Sequence, residues 1–238
     1  MIRKTLKNLK ESRVLIKKTN VLIREDFALA HLNQLLPKPY FLPITSWSMA
    51  PSAIVFILND ILINKRKNII EFGSGLSTVF IALLIEQHKL DIQFISIDNN
   101  EEWILHQNRI LKDLDCEKQV KFVYAPLNTV DQSIKLKTQH TWYETKPLFP
   151  FLSGPTWDLI IVDGPKGSLC DYSRFSAIPF FKDHLSDNFT VLLDDTNRKD
   201  EQIITEEWKR ILGIPYETYG RYTVFQSGNT LKNTPFVY

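Results

Sequence analysis

The chain has 238 residues, of which 44% are hydrophobic, and this size and composition suit one globular domain with or without a terminal extension. Its two cysteines and five histidines are scattered singly, which excludes a disulfide-rich scaffold and four-ligand zinc sites and predicts a reducing, cytoplasmic setting. No apolar run approaches the ~20 residues that span a bilayer, and the N-terminus lacks the apolar core of a signal peptide, so we expect neither a membrane span nor secretion.

The positive charge is concentrated at the N-terminus. Among residues 1–24 there is one acid, Glu11, and there are eight basic side chains: Arg3, Lys4, Lys7, Lys10, Arg13, Lys17, Lys18 and Arg24. The formal charge of the whole chain is +2, so the other 214 residues carry −5, and we expect no nucleic-acid partner.

The basic segment has apolar residues near helical spacing, at Ile2, Leu6, Leu9 and Ile16. This pattern allows two interpretations. The first, which we favour, is a solvated helix that covers one side of the domain. The second is an amphipathic helix that contacts an anionic membrane surface.

The predicted elements follow in chain order. A helix over 1–36 is ended by Pro37 and Pro39, and a loop over 40–52 leads to a helix over 53–63. Five apolar strands are then predicted, at 68–72, 92–98, 120–124, 157–162 and 189–193. Helices alternate with them, at 77–88, 101–114, 172–185 and 200–212. Two aromatic runs at 216–219 and 222–226 read as an antiparallel hairpin.

Strands that alternate with helices indicate a parallel sheet covered on both faces. We therefore predict a doubly wound α/β fold, with a seven-stranded, mostly parallel sheet and an antiparallel C-terminal hairpin. Residues 1–44 are predicted to form a basic helical extension and residues 45–238 the domain, which includes an irregular insert at about 127–156. Loops of this length usually carry function or local structure of their own.

The most informative segment joins the first strand to the helix after it. Glu71 lies at the strand end, and Gly73 and Gly75 lie in the turn. Glycines allow the backbone to turn sharply and approach a ligand, and the helix N-terminus presents free amide donors. At the end of the next strand, Asp98 could accept both hydroxyls of a ribose. A dinucleotide motif would need glycine where Thr78 stands, so an NAD-type site loses support.

The segment Glu71 to Ser77 resembles the first motif of class I S-adenosylmethionine (SAM)-dependent methyltransferases. Asp98 and the terminal hairpin also resemble features of that family, and the likeness extends from about residue 45 to residue 226. The resemblance implies a Rossmann-like fold with SAM as the cofactor. It implies that Glu71, Gly73, Gly75 and Ser77 hold the methionine end and that Asp98, with Asn99 beside it, holds the ribose. No acid follows the third strand, so adenine is expected to meet apolar and backbone groups.

Three acids are expected at the ends of the fourth and fifth strands: Asp163, Asp194 and Asp195. Such carboxylates repel one another unless they are protonated, hydrated or shared by a cation, and hard oxygen ligands suit Mg²⁺. The arrangement is similar to divalent-cation-dependent O-methyltransferases. That resemblance implies a metal on these three acids, and catalytic roles for Asp163 and for Lys166, which matches a lysine base. The alternatives are a helix-capping acidic loop and a solvated surface lysine.

For the other candidate residues, a structural role is an alternative to a role in the site. His140, Trp142 and Tyr143 could line a substrate site, but packing is favoured. Arg174 could contact an anionic substrate, but a surface ion pair is favoured, and for Trp47 core packing is favoured over a cofactor lid.

The leading hypothesis is SAM-dependent O-methylation of a small molecule or saccharide, assisted by Mg²⁺ if a metal binds. The alternatives are an oxidoreductase with a nucleotide cofactor such as NAD, and a SAM-binding or interaction protein without catalysis.

Overall fold

Two helices precede the sheet. The computed structural model describes residues 2–37 and 40–235, with helix α1 at Ile2–Leu32 and helix α2 at Pro51–Ile63. Pro39 lies outside the described residues, as do the side chains of 2–11, 14, 17 and 18 within α1, so the predicted apolar positions Ile2, Leu6 and Leu9 have no described surroundings. No helix in the described part of the chain is long and apolar enough to cross a membrane.

The C-terminal end of α1 belongs to the core of the domain. Ala28 and Leu32 are fully buried, and the Glu25 carboxylate accepts hydrogen bonds from the backbone N–H (2.9 Å) and the hydroxyl (2.6 Å) of Ser52. Nearer the N-terminus, Ile16 is exposed. Among the described side chains, the C-terminal end of α1 is thus anchored to the domain, and Ile16, nearer the N-terminus, is exposed to solvent.

The remaining elements alternate along the chain. The strands are β1 (Asn68–Phe72), β2 (Gln93–Asp98), β3 (Lys121–Tyr124), β4 (Leu127–Thr129), β5 (Thr141–Tyr143), β6 (Trp157–Val162), β7 (Leu185–Leu193), β8 (Tyr216–Tyr219) and β9 (Tyr222–Gln226). The helices are α3 (Leu76–His88), α4 (Glu101–Asp113), α5 (Ala177–Phe181) and α6 (Lys199–Leu212), and short 3₁₀ helices lie at Glu117–Gln119, Lys146–Leu152 and Lys182–His184.

Seven strands form one sheet in the order β3-β2-β1-β6-β7-β9-β8. The first five are parallel, and β9 pairs antiparallel with both β7 and β8. Alternate residues of each central strand enter different core clusters, as Ile69 and Ile70 do on β1. The predicted doubly wound sheet with a C-terminal hairpin is confirmed.

The strand order reverses between β1 and β6, where Phe72 pairs with Val162. Doubly wound sheets bind ligands at such a switch point, outside the carboxyl ends of the strands. The fold therefore places the Gly73 turn and Asp163 side by side at the position where a ligand is expected.

The helix predicted at 172–185 is wrong. Tyr172 has a left-handed φ of 56°, and only Ala177–Phe181 is α-helical before β7 begins at Leu185. Pro179 has no N–H to donate to the Phe175 carbonyl, which accepts a hydrogen bond from Trp208 Nε1 instead (2.9 Å). A helix over the whole predicted range would therefore have lacked the backbone hydrogen bond from residue 179 to the Phe175 carbonyl.

The segment expected to be irregular contains ordered structure. β4 and β5 pair antiparallel, with Leu127 opposite Tyr143, and the 3₁₀ helix at Lys146–Leu152 follows. Trp142 and Leu148 are fully buried in the same core cluster as one face of the sheet. The insert thus packs on the sheet and brings Tyr143 towards the switch point.

Candidate active site

The turn between β1 and α3 requires glycine at its first position. Gly73 has a φ of +89°, which side chains rarely adopt, and a Cβ there would lie 2.9 Å from the backbone nitrogen of Gly164. Its N–H donates to the carbonyl of Ile97 (2.8 Å). The ends of β1, β2 and β6 are therefore held in close backbone contact around this residue.

Glu71 supports the turn from beneath. It is fully buried, and its carboxylate accepts hydrogen bonds from Ser77 (2.5 Å), Thr78 (2.5 Å) and Ser96 (2.7 Å). Burial raises its pKa to about 7, although these three hydroxyls oppose the rise. Glu71 is not among the residues that line the cavity above the turn. Its hydrogen bonds hold the start of α3, and its contact with a cofactor stays a prediction.

Thr78 occupies the position where a dinucleotide motif has its third glycine. Its side chain is fully buried, and its hydroxyl accepts a hydrogen bond from the Gly75 N–H (2.8 Å). Gly75 has extended backbone, and a Cβ there would meet no atom within 4 Å. The third position is thus filled by a side chain, and the space beside Gly75 is open.

Asp98 braces the same turn from the neighbouring strand. One oxygen, Oδ2, accepts from the backbone N–H (2.9 Å) and the hydroxyl (3.0 Å) of Ser74, and Oδ1 accepts from the Asn100 N–H (2.9 Å). Trp103 Nε1 donates to the Ser74 carbonyl (2.8 Å). Burial raises the pKa of Asp98. A carboxylate offers about four acceptor positions, so Asp98 retains capacity for a ligand hydroxyl.

A cavity of about 930 Å³ lies above these groups. It is lined by residues of the loop before α2, the Gly73 turn, the end of β2, one face of α4 and the loop after β6. Five predicted cofactor residues line it together: Gly73, Gly75, Ser77, Asp98 and Asn99. Asp163, Asp195 and Lys166 also line it, and the volume is typical of small-molecule sites.

The structure brings the three predicted acids together. Asp163, Asp194 and Asp195 each offer one carboxylate oxygen, and these oxygens lie within 4.8 Å of one another. Burial, together with the neighbouring carboxylates, raises the pKa of Asp163 and of Asp194. Neither oxygen of Asp194 accepts a hydrogen bond from the part of the chain that is described. Asp195 has a left-handed φ of 60°, a strained conformation of the kind found at functional sites.

Guanidinium groups already neutralise this cluster. Arg174 Nη2 lies 3.0 Å from Asp163 Oδ1 and 3.1 Å from Asp195 Oδ2. Arg198 and Arg221 also contact Asp195, at 2.9 and 2.7 Å. A divalent cation shared by the acids would have to displace these groups, so the residues present do not fit the predicted Mg²⁺. Arg174 is 3% exposed, which corrects the surface ion pair favoured for it.

Lys166 lies at the mouth of the cavity. Its side chain is exposed, and its Nζ lies 4.3 Å from the centre of the Trp47 ring, a cation–π contact. Trp47 is 69% exposed and lines the cavity, so the core packing favoured for it is wrong. The two side chains join the loop before α2 to the loop after β6.

Two of the cavity-lining residues that were not assigned to the site from sequence have a polar atom without a partner in the described part of the chain. These atoms are the Tyr143 hydroxyl and the Gln107 side-chain oxygen, and both are buried. A Cβ on Gly164 would collide with the Tyr143 hydroxyl, which places that hydroxyl against the switch point. Trp142 is fully buried, as the packing role favoured for it predicts, whereas the adjacent Tyr143 lines the cavity. Nothing in the helical pattern of α4 distinguishes Gln107.

Neither a protein-family model nor a curated protein sequence matches the chain. Solved structures share its fold. A protein from Staphylococcus aureus, classed provisionally as a caffeoyl-CoA O-methyltransferase, is 16% identical with a TM-score of 0.55, over 91% of this chain and 98% of that one. A methyltransferase from Podospora anserina bound to SAH is 15% identical with a TM-score of 0.53, over 88% of each chain. The chain has the Rossmann-like fold that these structures share.

A third solved structure, an O-methyltransferase from Bacillus cereus in complex with SAH, is 12% identical with a TM-score of 0.53. The match covers 86% of this chain and 90% of that one. At such low identity these likenesses establish the Rossmann-like architecture, and the chemistry has to be argued from the residues of the cavity.

Proposed function

We propose that this protein is a SAM-dependent methyltransferase that methylates an oxygen of a small molecule or a saccharide. One observation carries the proposal: the Gly73 turn and Asp98 converge on a cavity at the switch point of a Rossmann-like fold shared with solved methyltransferase structures. Two of the similar structures are described as bound to SAH. The size of the cavity supports a small acceptor.

The residues of the turn fit the cofactor. Gly75 leaves open space beside the backbone, and the first turn of α3 offers N–H groups to the methionine end of SAM. Asp98 would accept from the ribose, with Asn99 beside it on the cavity wall. Apolar groups of α4, Trp103 and Ile110, would contact adenine. The bound cofactor supplies a methyl group on a positively charged sulfur.

The chain's own task is to align the acceptor oxygen with that methyl group and to remove its proton. Asp163 is better placed to act as the base than Lys166, the residue predicted for that role. Asp163 lines the cavity beside the Gly73 turn, and its raised pKa makes its carboxylate a stronger base. Lys166 lies over Trp47 at the rim, where it would position the acceptor or serve as the second candidate base.

The NAD-type alternative is less well supported. Its motif uses a third glycine for close helix–strand packing, whereas Thr78 fills that position with a buried, hydrogen-bonded side chain. A SAM-binding protein without catalysis would share the turn and Asp98. Such a protein would not need a base, whereas our proposal assigns that role to the Asp163 carboxylate, which lines the cavity.

Calorimetric titration separates these functions. We expect SAH and SAM to bind with one site per chain and NADH not to bind. The variant Asp98→Asn should bind SAH more weakly, by about tenfold or more, because an anionic acceptor is lost. Binding of NADH without SAH would overturn the proposal. If SAM binds, incubation with methyl-labelled SAM and a panel of phenols and sugars tests transfer, and label in none of them would favour the non-catalytic alternative.

A further inference from the structure

The guanidinium of Arg174 bridges the carboxylates of two of the three acids, Asp163 and Asp195. Besides Asp163 and Asp195, its guanidinium donates to the backbone carbonyls of Asp194 (3.1 Å) and Pro165 (3.3 Å). The side chain is 3% exposed. Five fixed N–H donors in a plane suit this task, because they bridge several oxygens at once. One guanidinium therefore ties the ends of β6 and β7 together.

The charges around Arg174 are close to balance. Four carboxylates are grouped there, on Asp163, Asp194, Asp195 and Glu201, with three guanidinium groups, on Arg174, Arg198 and Arg221. Both oxygens of Asp195 have a guanidinium partner. A divalent cation at this position would be repelled by the buried Arg174, and both oxygens of Asp195 are already taken by guanidinium groups; Asp163 Oδ2 and the two oxygens of Asp194 have no hydrogen-bond donor in the described part of the chain.

One oxygen of Asp163 stays open to a ligand. Arg174 holds Oδ1, whereas no residue in the described part of the chain donates a hydrogen bond to Oδ2. The side chain lines the cavity and is 18% exposed. The contact with Arg174 thus fixes the orientation of the carboxylate and leaves its second oxygen to meet an acceptor hydroxyl.

We propose that Arg174 takes the place of a divalent cation at this site. It is a positioning residue that holds Asp163 and Asp195 in place with a fixed organic cation, so the protein needs no metal. The part of Asp163 in catalysis rests on the proposed function, whereas the exclusion of metal by Arg174 can be measured without any methyl transfer.

The first test is titration of the full chain with Mn²⁺, in which the electron paramagnetic resonance signal reports the free ion. We expect no binding below about millimolar Mn²⁺, and the same SAH affinity with and without EDTA. Micromolar binding at one site per chain that Asp194→Asn abolishes would overturn the proposal and restore the predicted metal site. Failure of SAH to bind would instead overturn the proposed function and leave the Mn²⁺ result standing.

The second test removes the guanidinium. Arg174→Met keeps most of the side-chain volume and leaves the buried acids without their central cation. We expect this variant to have a lower Tm, to gain Mn²⁺ binding at least tenfold tighter than the parent, and to recover Tm when Mn²⁺ is added. The matched control is Arg210→Met, which breaks the exposed pair with Glu207 and should change none of these quantities.

Two further outcomes are decisive. A folded Arg174→Met variant that gains no Mn²⁺ binding would contradict the proposal, because the site would then have no cation position for Arg174 to fill. If that variant does not fold, the parent decides the matter through its own Mn²⁺ titration, and Arg174→Lys should keep the charge and still exclude Mn²⁺.

Discussion

The buried carboxyl of Glu71 gives the protein a stability that depends on pH, and Glu71→Gln should remove that dependence. The pKa is raised from 4.5 to about 7 in the folded protein, chiefly by burial. The folded state holds the Glu71 proton more tightly than the unfolded state does. The stabilisation that protonated Glu71 gives to the folded state is therefore complete below pH 4.5 and is lost as the pH rises to about 7. At roughly 1.4 kcal/mol per pH unit the whole effect is about 3 kcal/mol, of which about 2.5 kcal/mol falls between pH 5 and 8.

Glutamine suits the site because it has nearly the same shape and cannot ionise. Its oxygen can accept from Thr78 and Ser96, and its amide can donate to the Ser77 hydroxyl, so the hydrogen bonds of the turn are kept.

The measurement is urea unfolding of the parent and of Glu71→Gln at pH 5 and pH 8. We expect the parent to lose about 2.5 kcal/mol more than the variant over this range. Acids that do not interact with Glu71 titrate alike in both proteins and cancel in the difference. Glu102→Gln, at an exposed position of α4, should keep the pH dependence of the parent. An equal pH dependence in the parent and in Glu71→Gln would refute the reasoning.

Three further predictions follow from the geometry. Gly73→Ala should destabilise the protein by about 1–3 kcal/mol in urea unfolding, because φ is +89° there, whereas Gly75→Val should keep stability and weaken SAH binding in calorimetry at least tenfold. Tyr143→Phe should leave the unfolding free energy equal or higher, since its hydroxyl has no partner within the described chain, and a drop of about tenfold in SAH or acceptor affinity would locate its ligand. Arg66→Met should cost about 3–5 kcal/mol because the buried Asp60 carboxylate loses its cationic partner at 2.7 Å and keeps only neutral amide donors, and a thermal unfolding midpoint equal to the parent's would contradict this.

The order of the elements and the position of the cofactor turn follow from local sequence. Apolar runs of strand length alternate with helical patterns, and this alternation alone predicts a parallel sheet with ligands at its carboxyl edge. Gly73 marks the turn because the backbone there has a positive φ, and Gly75 marks it because the space beside its backbone is open. Asp98 follows from its place at the end of the next strand. These features depend on neighbours in the chain, which a sequence displays.

The tertiary structure decided how the polar groups are paired. Glu71 and Asp98 both lie at strand ends, yet the three hydroxyls that reach Glu71 turn it into a buried support, whereas Asp98 lines the cavity. The segment that carries Arg174 reads as a helix in the sequence but is not helical in the structure, and only the fold brings its guanidinium between Asp163 and Asp195. The physical reason is that local propensity depends on a few adjacent residues, whereas burial and charge neutralisation depend on groups far apart in the chain.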